Sequence, residues 1–150
     1  MFLAAFFIES PEKIIMACGI SHIEGVGPGY CRALKTAGIV TVEQLLQAGA
    51  TSRQRAQLAR NTGVSSKLIL KWVNMCDLFR VRGVASQYAE LLEAAGVDTV
   101  KELRNRNSDN LVAAMSKANE AKRLVRQLPN SKQINGWIEH AKGLQPMVTY

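Results

Sequence analysis

Ile23-Glu-Gly-Val-Gly-Pro-Gly-Tyr-Cys-Arg-Ala-Leu-Lys-Thr-Ala-Gly-Ile-Val-Thr-Val-Glu-Gln-Leu45 decides the fold, because the chain writes this stretch twice. Val81-Arg-Gly-Val-Ala-Ser-Gln-Tyr-Ala-Glu-Leu-Leu-Glu-Ala-Ala-Gly-Val-Asp-Thr-Val-Lys-Glu-Leu103 aligns with it without a gap at an offset of 58. Nine of the 23 positions are identical: Gly25/Gly83, Val26/Val84, Tyr30/Tyr88, Leu34/Leu92, Ala37/Ala95, Gly38/Gly96, Thr41/Thr99, Val42/Val100 and Leu45/Leu103. Self-similarity at one period points to two copies of a single structural unit. Farther on, Ser66, Lys67, Ile69 and Trp72 correspond to Ser131, Lys132, Ile134 and Trp137 at an offset of 65. Seven residues are thus inserted in the second copy. A lengthened helix within 107–128 is the expected place.

Each copy reads as short helices separated by tight punctuation. Gly25-Val-Gly-Pro28 is a turn, and Pro28 suits the first helical position because its missing N–H would have no partner there. The helix it opens runs to about Ala37 and stops at Gly38, a residue suited to a left-handed cap. Thr41-Val-Glu-Gln44 is a capping box for the next helix, and Thr99-Val-Lys-Glu102 repeats it. A third helix runs from Thr51 to about Asn61. Thr62-Gly-Val-Ser65 is a second tight turn, with Ser65 placed to cap a helix that carries Ile69, Trp72, Val73 and Cys76 as one buried stripe. No segment alternates with period two, so the fold is all-α. The expected layout is an N-terminal extension over 1–15, tandem units over 16–78 and 79–146, and a C-terminal tail over 147–150. The units share the helix near Trp72–Phe79 as one rigid body. Because the regular pattern begins only after Met16, that residue is an alternative start.

The 150 residues are 47% apolar and 21% charged, as in a globular domain with a packed core. Nineteen Lys and Arg against twelve Asp and Glu leave a net charge of +7, a basic protein suited to polyanionic partners. Three cysteines are too few for a disulfide scaffold and fit a reducing, cytoplasmic compartment. The nearest candidate for a membrane span is Phe2–Ile8, far short of the ~20 residues required. Glu9 and Glu12 follow it, which is the wrong flanking charge for a signal peptide.

An apolar-x-Gly-apolar-Gly turn opening a helix is the helix-hairpin-helix pattern. Glycines let a phosphate approach the backbone, and free N–H groups at the next helix start point at it with a favourable dipole. Such a loop grips phosphates without reading base edges. The candidate phosphate-binding residues are the amides of Gly25, Val26 and Gly27 with Gly29, Arg32 and Lys35. To these are added the Thr62, Gly63, Val64, Ser65 hairpin with Lys67, and Gly83 and Val84 in the second copy. Gly63 lies 36 residues after Gly27, as a second hairpin does in a paired unit.

Residues 22–78 resemble the paired helix-hairpin-helix domain that precedes the ATPase core in RecA-like recombinases of archaea and eukaryotes, and the tandem domain of Holliday-junction-binding proteins. The span from Met16 to Tyr150 resembles the bacterial family of domain of unknown function 4332. It includes Leu70-Lys-Trp-Val-Asn-Met-Cys-Asp-Leu78, Tyr88-Ala-Glu-Leu-Leu-Glu-Ala-Ala-Gly96 and Pro146-Met-Val-Thr-Tyr150. The resemblance implies two tandem helix-hairpin-helix units and a nucleic-acid role.

The sequence also departs from DNA-binding hairpins. Pro28 and Gly29 stand where many such hairpins carry Lys or Arg, Gly27 becomes Ala85, and the last hairpin, Leu128-Pro-Asn-Ser131, has no glycine. Phosphate binding is therefore expected mainly on the first copy. Charge agrees, at +5 over 16–80 and +3 over 81–150. Arg53, Arg55, Arg60, Lys67 and Lys71 form one basic cluster, and Lys117, Lys122, Arg123, Arg126 and Lys132 another; each is either a phosphate-facing surface or a solvated helix face.

Trp72 and Trp137 read as core. Tyr30 and Tyr88, one turn into equivalent helices, support either the turn or a phosphate. Cys18, His22 and Cys31 lack the four converging ligands zinc needs, so neither metal nor cofactor is expected. Cys31 aligns with Ala89 and Cys76 with Ala141, which marks both as small buried positions. No Gly-x-x-x-x-Gly-Lys-[Ser/Thr] loop or nucleophile-base arrangement is present, nothing converges on Asp77 or Asp109, and no enzyme is expected. The expected function is sequence-independent binding of duplex or branched DNA. Two readings stay open beside it: an adaptor that docks a protein through the same hairpins, and an RNA- or ribosome-associated factor.

Overall fold

Side-chain caps cut the chain into short helices. The computed structural model describes residues 19–150; the expected extension over 1–15, the alternative start at Met16, and Cys18 lie outside them. A 3-10 turn, Gly19–His22, is followed by α1 (Pro28–Thr36), α2 (Val42–Ala48), α3 (Ser52–Thr62) and α4 (Ser66–Leu78). Then come α5 (Ser86–Ala94), α6 (Val100–Leu103), α7 (Ser108–Lys122) and α8 (Ser131–Lys142), and no strand occurs among the described residues.

The expected capping box at α2 is present in full: Thr41 Oγ1 accepts from the Gln44 amide at 3.1 Å and Gln44 Oε1 from the Thr41 amide at 3.2 Å. Thr51 with Gln54 and Asn130 with Gln133 make two more. The box expected at Thr99 is only half formed. Thr99 Oγ1 accepts from the Glu102 amide, but the Glu102 carboxylate reaches back to the Asp98 amide at 2.9 Å instead.

The stretch over 107–130 is longer than that over 51–65 in helix and connection alike. Helix α7 has 15 residues against 11 in α3. The connection over 123–130 also replaces the three residues of 63–65, while α6 is shorter than α2.

Helix α4 is the centre of the packing. It lies against α2, α3 and α5, while α7 and α8 pack on each other and on α5 and α6. Its Ile69, Trp72, Val73 and Cys76 are buried, as the i, i+3, i+4, i+7 spacing predicts. Cys31 and Cys76 are both buried, as are their counterparts Ala89 and Ala141.

Two polar ties connect the early and late parts of the chain. At the end of α4, buried Asp77 bonds Arg80 through Oδ1 at 2.7 Å and accepts the Val100 amide on Oδ2 at 2.8 Å. This satisfies an N–H that the first turn of α6 leaves without a helical partner.

The second tie corrects one expectation. Arg55 is buried and is not part of a basic face. Arg55 is 5% exposed and donates to the carbonyls of Gly49 at 2.8 Å, Ala50 at 3.0 Å and Thr149 at 2.6 Å. The Thr149 amide donates to Ala50 at 2.9 Å, and Val148 is buried. The C-terminus is therefore strapped onto the α2–α3 junction by a charged group with five donors and no substitute nearby. Arg55→Ala is expected to cost about 2–3 kcal/mol, since charge-assisted bonds are lost and carbonyls are left dry. Urea denaturation checks this, and a midpoint within error of the parent protein would show that the clasp carries no stability.

Candidate nucleic-acid interface

The turn before α1 is closed from within. Gly25 takes φ 88°, a left-handed conformation open to a residue without a Cβ. The Val26 amide then donates to the Ile23 carbonyl at 3.1 Å while its side chain is buried. Val26 is thus an anchor, and its amide is not available to a phosphate as the sequence reading expected.

Past the turn the backbone opens. Gly27 is the N-cap of α1 and offers no side-chain cap; the Cys31 amide closes the first turn on the Gly27 carbonyl at 3.0 Å. The amides of Gly25, Gly27, Gly29 and Tyr30 meet no acceptor among the described residues, and Pro28 has no N–H to satisfy. Three of these N–H groups sit at the positive end of a helix, the arrangement that attracts anions.

The Thr62–Ser65 turn approaches from the other side. Thr62 Oγ1 donates to the Leu58 carbonyl at 2.7 Å and accepts from the Val64 amide at 3.2 Å, and the Gly63 amide ends α3 on Ala59 at 2.9 Å. The Gly63 and Val64 amides are therefore spent in making the turn. Ser65 Oγ accepts from the Leu68 amide at 3.2 Å. The amides of Ser65, Ser66 and Lys67 meet no acceptor among the described residues.

Both turns line one open groove of about 480 Å³, formed by Gly25, Gly27, Pro28, Gly29, Tyr30, Ala33, Thr62, Gly63 and Val64. No charged side chain lines it. Arg32 stands at its edge, with Nη2 4.0 Å from where a Cβ on Gly29 would sit. Lys35 does not join it, being seven residues along α1 from Pro28 and so ~10 Å toward the other end. Lys67 lines a neighbouring hollow with Lys71, Glu93 and Asp98. Burial pushes the Glu93 and Asp98 carboxyls up from their ordinary range there.

Beneath the groove lies Trp72, with no exposed surface. Its Nε1 is 3.8 Å from the Cβ position of Gly25 and has no hydrogen-bond partner, and the Tyr30 ring meets its edge at 4.9 Å and 67°. Corresponding positions of the later segment look alike: Gly83 has φ 89° above Trp137, and Tyr88 packs on Trp137 at 5.2 Å. The Val84 amide is also consumed, by Val81 at 3.1 Å. His140 Nδ1 accepts the Arg82 amide at 2.9 Å, which holds the Gly83 turn against α8.

Burial, with Glu43 and Asp77 nearby, pushes the Cys76 thiol up to about 12, far from thiolate reactivity. No group of His, Cys, Asp or Glu among the described residues is arranged to hold a metal ion. No helix among them is long and apolar enough to cross a membrane.

Compared with known proteins, residues 24–144 match the family model described as Domain of unknown function (DUF4332). No curated protein and no solved structure gives a significant match.

Proposed function

The chain belongs to the DUF4332 family, and we propose that this member grips the backbone of duplex or branched DNA without reading its sequence. The observation that carries the proposal is the groove between the Gly25–Tyr30 and Thr62–Val64 turns, where unpaired amides at the start of α1 face a glycine-lined approach free of carboxylates. A phosphate oxygen fits such a place because several donors and the helix dipole act on it together. In this reading each glycine turn with its flanking helices is a helix-hairpin-helix, and the two halves are copies of one unit, as the resemblance to recombinase accessory domains implies. Matching Tyr–Trp contacts beneath Gly25 and Gly83 support it. The net charge of +7 draws the polyanion in. The role is non-enzymatic and belongs in the cytoplasm.

Fluorescence anisotropy against a labelled duplex and a four-way junction tests the proposal. Three to five phosphate contacts give a log K against log salt slope of roughly −3 to −5, and a flat line would refute it. Gly27→Asp is the matching variant. Gly27 has φ −84°, and a Cβ added there meets nothing within 4 Å. Aspartate is also a better N-cap than glycine, so stability should hold or rise by a few tenths of a kcal/mol. Its carboxylate, however, takes the amides and repels the phosphate. Affinity is expected to fall by about 100-fold, the equivalent of ~2.7 kcal/mol. A variant that binds like the parent would remove this groove from the mechanism.

One observation favours a second reading. Tyr30 is 41% exposed beside Pro28 in the same groove, a surface on which an adaptor would dock a protein. That reading predicts no duplex binding even at low salt.

A further inference from the structure

We propose that the second half carries an anion site of different make, in which Arg123 and Arg126 hold a further backbone phosphate of the same nucleic acid. The proposal rests on the nucleic-acid reading and extends it to a part of the molecule where the loss of hairpin glycines argued against phosphate binding.

The site is a groove of about 600 Å³ between the start of α5, at Gln87 and Tyr88, and the connection that follows α7. No carboxylate lines it. The connection is held in shape by the Asn119 side chain, which donates through Nδ2 to the Val125 carbonyl at 3.1 Å and accepts the Val125 amide on Oδ1 at 3.0 Å. Val125 itself is buried, so the loop presents the residues on either side of it from a fixed base. Those neighbours include Arg123 and Arg126, both exposed. Among the described residues the ion pairs are Arg80–Asp77 and Lys142–Glu139, which leaves both guanidiniums without an acidic partner.

The backbone at Arg123 adds a second line of argument. Helices α3 and α7 both end on a left-handed residue. At α3 it is Gly63, with φ 74° and ψ 5°; at α7 it is Arg123, with φ 49° and ψ 51°. Arg123 has the sole positive φ outside glycine among the described residues. A Cβ makes this conformation unfavourable, and glycine is the usual occupant. An arginine therefore stands where glycine would be more stable, and it lines a groove that contains no acidic partner for it.

The two grooves divide the chemistry. The first offers backbone donors and no basic side chain, whereas the second offers two planar forks suited to the oxygens of a phosphodiester.

The test is duplex titration across a salt series with four variants of the full chain. Arg123→Gly is expected to raise Tm by about 2–4 °C and yet to weaken duplex affinity about fivefold. Combined with Arg126→Gln, it should make the salt slope shallower by about two. Lys101→Gln with Arg104→Gln removes the same charge away from both grooves and is expected to leave the slope within about half a unit. If that pair weakens binding as much as the Arg123/Arg126 pair, the arginines act only through net charge and the site is refuted. If the Arg123/Arg126 variant binds like the parent while Gly27→Asp does not, the second site is refuted and the nucleic-acid reading stands. If the Arg123/Arg126 variant loses binding while Gly27→Asp is harmless, this site stands and the first groove is refuted. A parent protein that ignores the duplex at low salt refutes both.

Discussion

Trp72→Ala is expected to cost about 3–5 kcal/mol, the range for deleting a large buried aromatic and leaving part of its volume empty. A domain of this kind holds some 5–15 kcal/mol in total, so the loss takes from about a fifth to all of its stability. The site cannot collapse cheaply, because Trp72 is fully buried on the helix that contacts α2, α3 and α5. One edge supports Tyr30 and the indole nitrogen lies under Gly25, so the groove loses its floor together with the core. Urea denaturation should show a lower midpoint at unchanged slope. Trp72→Phe discriminates volume from polarity. It removes part of the ring but also the indole N–H, which is buried without a partner. Its cost should therefore be about 1.5–2 kcal/mol, less than half of the largest expected for alanine, since only part of the ring volume is lost. An alanine variant losing less than that would mean that α4 is not the centre of the fold.

Asp77→Ala is expected to cost about 3 kcal/mol, because removing one partner of a buried pair leaves the other uncompensated. Two groups are orphaned here: Arg80, which is partly exposed and recovers some hydration, and the Val100 amide, which does not. Helix α6 has four residues and cannot stand on its own propensity. Asp77, the Thr99 hydroxyl and the Glu102 carboxylate together hold its start. Asp77→Asn keeps an acceptor for one of the two donors and should lose about half as much. Amide hydrogen exchange separates the effects, with Val100 expected to lose protection before the α4 amides do. Equal exchange at Val100 in the alanine variant and the parent would show that the carboxylate does not hold α6.

Much of the local architecture was legible because its causes lie within about two helical turns of each other. The Thr41–Gln44 box, the Ser65 cap, the stop at Gly38 and the Ile69–Cys76 stripe all appear where spacing put them. The half-formed box at Thr99 marks the boundary of that logic. Glu102 accepts from the Asp98 amide alone, whereas Gln44 accepts from both Val40 and Thr41.

The candidate site divides between what residue spacing names and what hydrogen bonding decides. Glycine spacing named both turns, but it did not say which N–H groups the turns would use for themselves. Val26, Gly63, Val64 and Val84 donate to acceptors two to four residues away, and Gly27, Gly29 and Tyr30 are left over. Lys35 shares a helix with Gly29 and still misses the groove, because it lies near the opposite end.

Arg55 shows most clearly where linear reading stops. Its neighbours Arg53 and Arg60 made it one of a basic cluster, yet its guanidinium is enclosed by Gly49, Ala50 and Thr149, the last 94 positions away. Arg126 and Tyr88 likewise meet at one groove across a long separation. Helix type, helix ends and the buried stripe follow from hydrogen bonds and side-chain periods that close within one or two turns, so the linear order of residues suffices to specify them. The docking of the C-terminus, the pairing of the Gly25 and Thr62 turns and the placing of Arg123 opposite Tyr88 depend on how those finished helices pack, because burial and distance between remote residues exist only once the core has formed.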